Sequence, residues 1–497
     1  MRQPMRAFSV DVGDQPTLLT QRFQHKRSTV ICLCFANALE HCDQFGLTGL
    51  YLAMMLDLEF GPSGLASIVI AQNVCMALVG PVWGWLADNT SRIRLLTISC
   101  LLTGACNLFS AAATSYTWLI VSRGLLGATL GALMPIAQTL VYDFADESPN
   151  CKGRYFGYFS SAGWAGAVSS TFLATWASEV TILGVPGWRF ALGVIGASCF
   201  VVGIVTSVAA REPPRVVEKT HRRSASGAAC LRTICLDVLA LPTYWIIAIQ
   251  GVVGTAAGQG FIKYTSLYFQ YAGFSDALAG LIGATLFVGG IGGGIIGGYL
   301  GDCMAARLPR FGRVLVTQVA VAYYIMDAIL MFRVLTPDSQ RPAAFFALQL
   351  CGGLFAWPMA ATIQPVFGEV VLPKHRAQVL AWEQGVAKAF GALLGTPIVA
   401  YFANANGFVT YTQPVSQLTP QQMQQNVDAL GFAITRFCVP MWLLCIAIWC
   451  PLGFTYPRDV ARVRAKLEKQ HLLDDQDAGV NVLDVRPEPE LEISPRL

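Results

Sequence analysis

Charge is what this sequence has least of. Asp, Glu, Lys and Arg make up only 13% of its 497 residues, where a soluble domain carries about 25%, and that shortfall excludes an ordinary soluble fold. Histidine is also scarce. The five, His25, His41, His221, His375 and His471, lie far apart and no Cys-x-x-Cys pair accompanies them, so the donor sets of a structural zinc site are missing. No Gly-x-x-x-x-Gly-Lys-Ser/Thr loop is present to cradle a nucleotide, and no Ser-His-Asp grouping stands out in the polar segments. An ATPase or a hydrolase therefore has no visible basis, and neither a metal nor a cofactor is expected. The first 27 residues carry Arg2, Arg6, Arg22, Lys26 and Arg27 in place of an apolar stretch followed by small residues. A cleaved signal peptide is not expected, and the first span should double as the insertion signal.

What the chain has instead is apolar sequence: 54% of it, with a mean hydropathy of +0.51. Most of its 15 cysteines, Cys32, Cys75, Cys106, Cys199 and Cys445 among them, sit inside apolar runs, where cysteine behaves as a small hydrophobe. A membrane span needs about 20 apolar residues. Runs of that kind occur near Val30–Tyr51, Gly64–Ala87, Leu95–Ala113, Tyr116–Val141, Arg154–Ala177 and Trp188–Ala210. After a polar, basic connector they resume at Thr243–Tyr271, Ala277–Leu300, Val314–Val334, Pro342–Phe367, Ala377–Ala403 and Gly431–Phe454. The expected organisation is a tail over 1–29, a six-helix half over 30–210, a connector over 211–237, a second six-helix half over 238–455 and a tail over 456–497. The fold class is all-α integral membrane, with twelve transmembrane helices in two pseudo-symmetric halves.

Orientation follows from where the few cations fall. Arg92 and Arg94, Lys152 and Arg154, the connector, Arg307, Arg310 and Arg313, and Lys374 with Arg376 all lie on one side, which the positive-inside rule makes cytoplasmic. Asp57, Glu59, Glu179, Asp276 and Asp428 mark the other side, with Arg333 and Arg341 as exceptions, and both termini share the basic side. The net charge of +4 is thus topology rather than a basic face for nucleic acid. The sequon Asn89-Thr90-Ser91 then faces the cytosol and should carry no glycan.

The halves read as copies. Phe60–Asp88 aligns without gaps on Phe274–Asp302, sharing Ile68/Ile282, Gly80/Gly294, Gly84/Gly298, Leu86/Leu300 and Asp88/Asp302. Parallel repeats of this type build transporters from two six-helix bundles related by an axis along the membrane normal.

Within the repeat, Gly84-Trp85-Leu86-Ala87-Asp88-Asn89-Thr90-Ser91-Arg92 resembles the G-x-L-a-D-r-x-G-r-k signature of the major facilitator superfamily, and Gly298-Tyr299-Leu300-Gly301-Asp302 followed by Gly312-Arg313 repeats it. Asn89, Ser91 and Ile93 depart from that pattern. The resemblance covers about Ser28 to Tyr456. It implies a solute carrier working by alternating access, with Gly84 and Gly298 permitting close helix approach. Asp88 and Asp302 would accept hydrogen bonds at a neighbouring helix N-terminus and pair with Arg92 and Arg313. The acidic first span, Arg123-Gly124-Leu125-Leu126-Gly127 and Gly187-Trp188-Arg189-Phe190 resemble the spinster-like branch, whose members export lysolipids or sphingoid lipids, often from lysosomes; its usual acidic residue after R-G-L is replaced here by Ala128-Thr129-Leu130.

Ionisable residues inside spans are costly, so each is a functional candidate. Glu40 and Asp43, three residues apart, share one face of the first span. At about 1.5 Å per residue, Asp43 and Arg123 of the fourth span lie at nearly the same depth. A buried pair of Arg123 with Asp43 or Glu40 is expected beside a central cavity, its carboxylate able to couple a proton to transport. Lys263 lies at a similar depth and could receive an anionic group or pair across the halves. Glu383 and Lys388 are five apart and point to different faces, so only one need line the cavity. Asp327 is assigned to packing. Trp164, Trp176, Trp357 and Trp382 are candidates for an amphipathic pathway, and Gly289, Gly293, Gly297 and Gly301 form a small face for helix contact. Gly292–Gly297 reads G-x-G-x-x-G but lies within a span, without the strand of a dinucleotide fold. The fifth span lacks the G-P-x-x-G-G of antiporters, which lowers the weight of drug–proton exchange. Two acidic-dileucine addresses, Asp14–Leu19 and Glu468–Leu473, resemble endosomal sorting signals.

The function expected is secondary transport of a small organic or lipid solute by a monomer in a plasma or endolysosomal membrane, with protons as the coupling ion of a symporter. The rivals are a non-transporting receptor or scaffold, a lysolipid exporter, and an uncoupled facilitator.

Overall fold

The computed structural model describes residues 15–60, 62–146, 151–178, 180–182, 184–212, 238–335, 337, 341–409 and 418–477. The first half consists of α1 (Gln15–Asp57), α2 (Pro62–Asn89), α3 (Arg92–Ala111), α4 (Tyr116–Asp146), α5 (Lys152–Ser178) and α6 (Gly187–Ala209). The second consists of α7 (Pro242–Tyr271), α8 (Asp276–Arg307), α9 (Gly312–Ile329), α10 (Ala343–Leu354), α11 (Gln364–Val370), α12 (Arg376–Ala405) and α13 (Pro420–Trp449), followed by α14 (Leu452–Asp477). A two-residue hairpin, β1 (Thr181–Ile182) with β2 (Val185–Pro186), joins α5 to α6. Most of the expected connector, from residue 213 on, lies outside the described residues.

Among the described residues nine helices are long and apolar enough to cross a membrane. The first span is more polar, carrying Asn37, Glu40, His41, Asp43 and Gln44; the fifth is rich in Ser and Gly; the tenth is broken. Apolar side chains such as Leu78 and Val208, each 72% exposed, form surface that lipid must cover.

Helix ends differ from the expected spans where polar residues are good helix formers. Helix α1 begins at Gln15 inside the expected tail, and α14 runs to Asp477, inside the expected tail over 456–497, because Ala465–Gln470 is a run of strong helix formers. Helix α13 starts at Pro420, eleven residues ahead of Gly431, since Thr419 and Gln422 close a reciprocal capping box there. The tenth span is not continuous. Pro358, which has no amide hydrogen, stands in the gap between α10 and a π-turn at Met359–Ile363 that leads into α11.

Packing repeats between the halves. The pairs α1–α5, α2–α4 and α3–α6 of the first half recur as α7–α12, α8–α10 and α9–α13, the arrangement that a parallel internal repeat demands. The halves meet through α2 against α12 and α5 against α8. Lipid supplies no hydrophobic drive for such contacts, so small residues make them by letting backbones approach. The small face of α8 packs this way on the tenth span: a Cβ at Gly289 would stand 2.1 Å from the Leu350 carbonyl and one at Gly293 2.4 Å from that of Gly353.

Candidate functional site

The repeated motif crosses between the halves at the basic end. A Cβ on Gly84 would lie 2.5 Å from the Cα of Gln378, and one on Gly298 2.2 Å from the Gly153 carbonyl oxygen; only glycine fits either position. That closeness brings Asp88 to the N-terminus of α12, where its carboxylate accepts the amides of Ala377 (3.2 Å) and Gln378 (3.1 Å). Asp302 does the same at α5, accepting Gly153 (2.9 Å) and Arg154 (3.0 Å). Each carboxylate thus satisfies amides that a helix's first turn leaves unpaired and meets the positive end of the helix dipole.

The arginines of the motif diverge. Arg313 pairs with Asp302 at 3.0 Å and donates to the Ala361 carbonyl. Arg92 bonds Asp143 of α4, against the expectation of a pair with Asp88, because the Asp88 carboxylate is directed at α12. Around this layer Asp146 at the end of α4 binds Arg376 of the second half and, at 3.0 Å, Lys152. Tyr142 also reaches across, its hydroxyl 2.7 Å from Gln364 Oε1.

Deeper in the membrane lie the charged residues of α1. Asp43 Oδ1 is 3.0 Å from Arg123 Nη1, and Asp43 Oδ2 accepts Gln72 Nε2 at 2.9 Å. The two ions are 1% and 0% exposed. Of the two acids placed as alternatives, Asp43 is therefore the partner of Arg123. Glu40 turns to the other half, where Lys388 Nζ bonds its Oε1. Gln44 donates to the same oxygen at 2.6 Å, and His41 Nδ1 stands 3.5 Å from Oε2.

Beside Lys388 opens a cavity of about 340 Å³, lined by Met134, Gln138 and Trp164 from the first half and by residues of α7, α8, α9, α12, α13 and the broken tenth span. Both Glu383 and Lys388 line it, where five-residue spacing had predicted that one need do so; a long lysine stem reaches round the helix to the same space. Asp327, assigned from sequence to packing, lines it as well. Lys263 does not: it is half-buried and makes no ion pair with a described residue, although its neighbours Phe261 and Ile262 are in the wall. Of the four tryptophans only Trp164 lines the cavity; Trp357 is buried and donates to the Val316 carbonyl, while Trp176 and Trp382 are 51% and 46% exposed. Gln138 and Gln384, which bond each other across the halves, were not singled out in the sequence; a glutamine in mid-span is the signal that could have found them. No group of metal-ligating side chains occurs among the described residues. Asp14 of the first dileucine address lies outside the described residues, and the second falls within α14.

The sequence profile of the Major Facilitator Superfamily matches residues 33–396. Protein spinster of Drosophila melanogaster is 21% identical over 449 residues, covering 84% of this chain and 71% of that protein. Protein spinster homolog 3 of Homo sapiens is 27% identical over 219 residues, 43% of this chain and 41% of that protein, so the human match spans less than half of the relative. Among solved structures, a bacterial homolog of the human lysosomal transporter spinster, inward-facing and unoccupied, superposes with a TM-score of 0.61 at 16% identity, covering 88% of this chain and 98% of that one. The nucleoside transporter NupG does so with a TM-score of 0.54 at 14% identity, covering 87% of this chain and 99% of that one. With its profile match, its two packed six-helix halves and its motif repeated at both contacts between them, the chain belongs to the major facilitator superfamily of membrane transporters and is similar to that superfamily's spinster proteins.

Proposed function

We propose that this protein is a proton-coupled secondary transporter in which the two halves rock about the central cavity, exposing it alternately to either side of the membrane. The observation that carries the reading is the ion pair between Glu40 of the first half and Lys388 of the second, set beside the cavity within the membrane. Rocking one half against the other strains or breaks any bond that spans them, and in a low-dielectric interior such a pair holds strongly while both partners are charged. Protonating Glu40 leaves Lys388 without its counter-charge and frees the halves to move. Asp43 and Arg123, both inside the first half, fix α1 against α4 so that Glu40 is presented at the right depth. The latches at Asp88 and Asp302 hold the basic, cytoplasmic ends together in the conformation described, and release when that side opens. The domain limits, with tails at 1–29 and 456–497 and a connector over 211–237, belong to the same proposal, as do the cytoplasmic placement of both termini and an endolysosomal membrane addressed through the dileucine segments.

The test begins with a thermal-shift screen of the purified chain against organic cations, organic anions, polar metabolites and lysolipids, since a ligand at 100 times its Kd stabilises by about 2.7 kcal/mol. The strongest hit then enters liposome assays under an imposed pH gradient. The wild type should accumulate it against its own gradient, and the sign of the driving pH gradient distinguishes symport from exchange. Glu40→Gln should still bind it but only equilibrate it. Equilibration without accumulation by the wild type would mark a facilitator, and binding without any flux a receptor; either result overturns the proposal.

A further inference from the structure

The cavity wall holds two acidic side chains that form no ion pair with a described residue. Asp327 of α9 is 1% exposed, and its Oδ1 has no hydrogen-bond partner among the described residues. Glu383 of α12 is 9% exposed, and no hydrogen bond or ion pair from a described residue reaches its carboxylate. Both line the same space. Among the described residues that line it the one cation, Lys388, is already bonded to Glu40. Arg123 is sealed at 0% exposure against Asp43, and neither it nor Lys263, which the sequence put forward to receive an anionic group, is in the wall. Gln250 Oε1 is another buried acceptor there without a hydrogen-bond partner among the described residues.

The remainder of the wall is largely apolar, with Trp164, Phe261, Tyr324 and Trp442 among its side chains. A buried carboxylate lacking a partner is costly, and a ligand that brings the opposite charge removes that cost. Aromatic faces attract the same sign of charge through their quadrupole.

We propose that the cavity is a binding site for an organic cation with an apolar body, its charged centre drawn in by the acidic side chains Asp327 and Glu383 of the wall and its body against the aromatic wall. This names the substrate class of the transporter reading above and rests on it. The charge of the wall selects the cation; the wall's composition selects an apolar or aromatic framework over a polar one.

The experiment uses the full chain in detergent and two rigid probes of similar size and opposite sign that do not change protonation near neutral pH: N-methyl-4-phenylpyridinium and biphenyl-4-carboxylate. The cation should bind saturably and the anion should not. Glu383→Gln and Asp327→Asn should each weaken cation binding by about tenfold or more, whereas Glu383→Asp and Asp327→Glu, which keep the charge, should recover part of it; a variant that had merely failed to fold would show no such ordering. Absence of saturable cation binding, an anion bound equally well, or cation binding that survives both neutral substitutions would overturn the proposal. Flux of the same probes in liposomes separates the two readings. Saturable cation binding without flux leaves the site in place and removes the transporter reading, while flux of the anion alone removes the site and leaves the transporter.

Discussion

Asp43 and Arg123 are each almost wholly withdrawn from solvent, and Arg123 keeps two donors, Nε and Nη2, without a partner among the described residues. A pair so placed resists the loss of one member more than the loss of both, because a single substitution strands a buried charge. Asp43→Asn or Arg123→Met alone should therefore destabilise by about 3–5 kcal/mol. The double variant should cost clearly less than the two singles combined, and thermal unfolding of all four proteins in one detergent checks the cycle. Additive losses would mean that the two side chains act independently. This contact was legible in the sequence because both residues lie in one half on long helices, so counting residues from a membrane face gives their depth. The bond of Glu40 with Lys388 was not legible. It depends on how the halves sit against each other, which no periodicity within one helix encodes. Asp327 was assigned to packing because the break of the tenth span at Pro358, which leaves Ala356 and Pro358 in the wall beside Val321, Tyr324 and Asp327, leaves no mark in the hydropathy of the ninth span.

Helices α5 and α12 start alike, each with its first-turn amides bonded by an aspartate from the other half. That symmetry turns the motif into two separable devices. Asp302→Ala should speed amide hydrogen exchange in the first turn of α5, at Gly153 and Arg154, and leave α12 as it was; Asp88→Ala should do the converse at Ala377 and Gln378. Losing such a cap costs about 1 kcal/mol, or roughly fivefold in local exchange. Exchange unchanged in both variants would mean that the carboxylates do not hold the helix ends in solution. The sequence repeat located these residues, and the aspartate-to-helix contact follows from the chemistry of helix N-termini. The different fates of Arg92 and Arg313 were not predictable, since the second copy carries an insertion before Gly312 and the acceptor of Arg92, Asp143, sits outside the motif altogether. The ends of α1, α13 and α14 escaped for a simpler reason: hydropathy marks where lipid begins and is silent on helix that continues into water.

Among the described residues the halves are joined by a capped and salt-bridged layer at the basic face and, beside the cavity, by the Glu40–Lys388 pair and the Gln138–Gln384 hydrogen bond. In the proposed mechanism the Glu40–Lys388 pair is the proton-sensitive control of the layer at the basic face. Its most direct test is the distance between spin labels on Asn89 and Arg307, exposed residues near the basic ends of α2 and α8, measured by pulsed electron resonance in a cysteine-free background reconstituted in lipid. Acidification should shift the wild-type distribution from a short toward a long distance as the basic face opens, and Glu40→Gln should give the long, acid-like distribution already at neutral pH. A single distance at every pH, or a Glu40→Gln protein that follows pH as the wild type does, would contradict it.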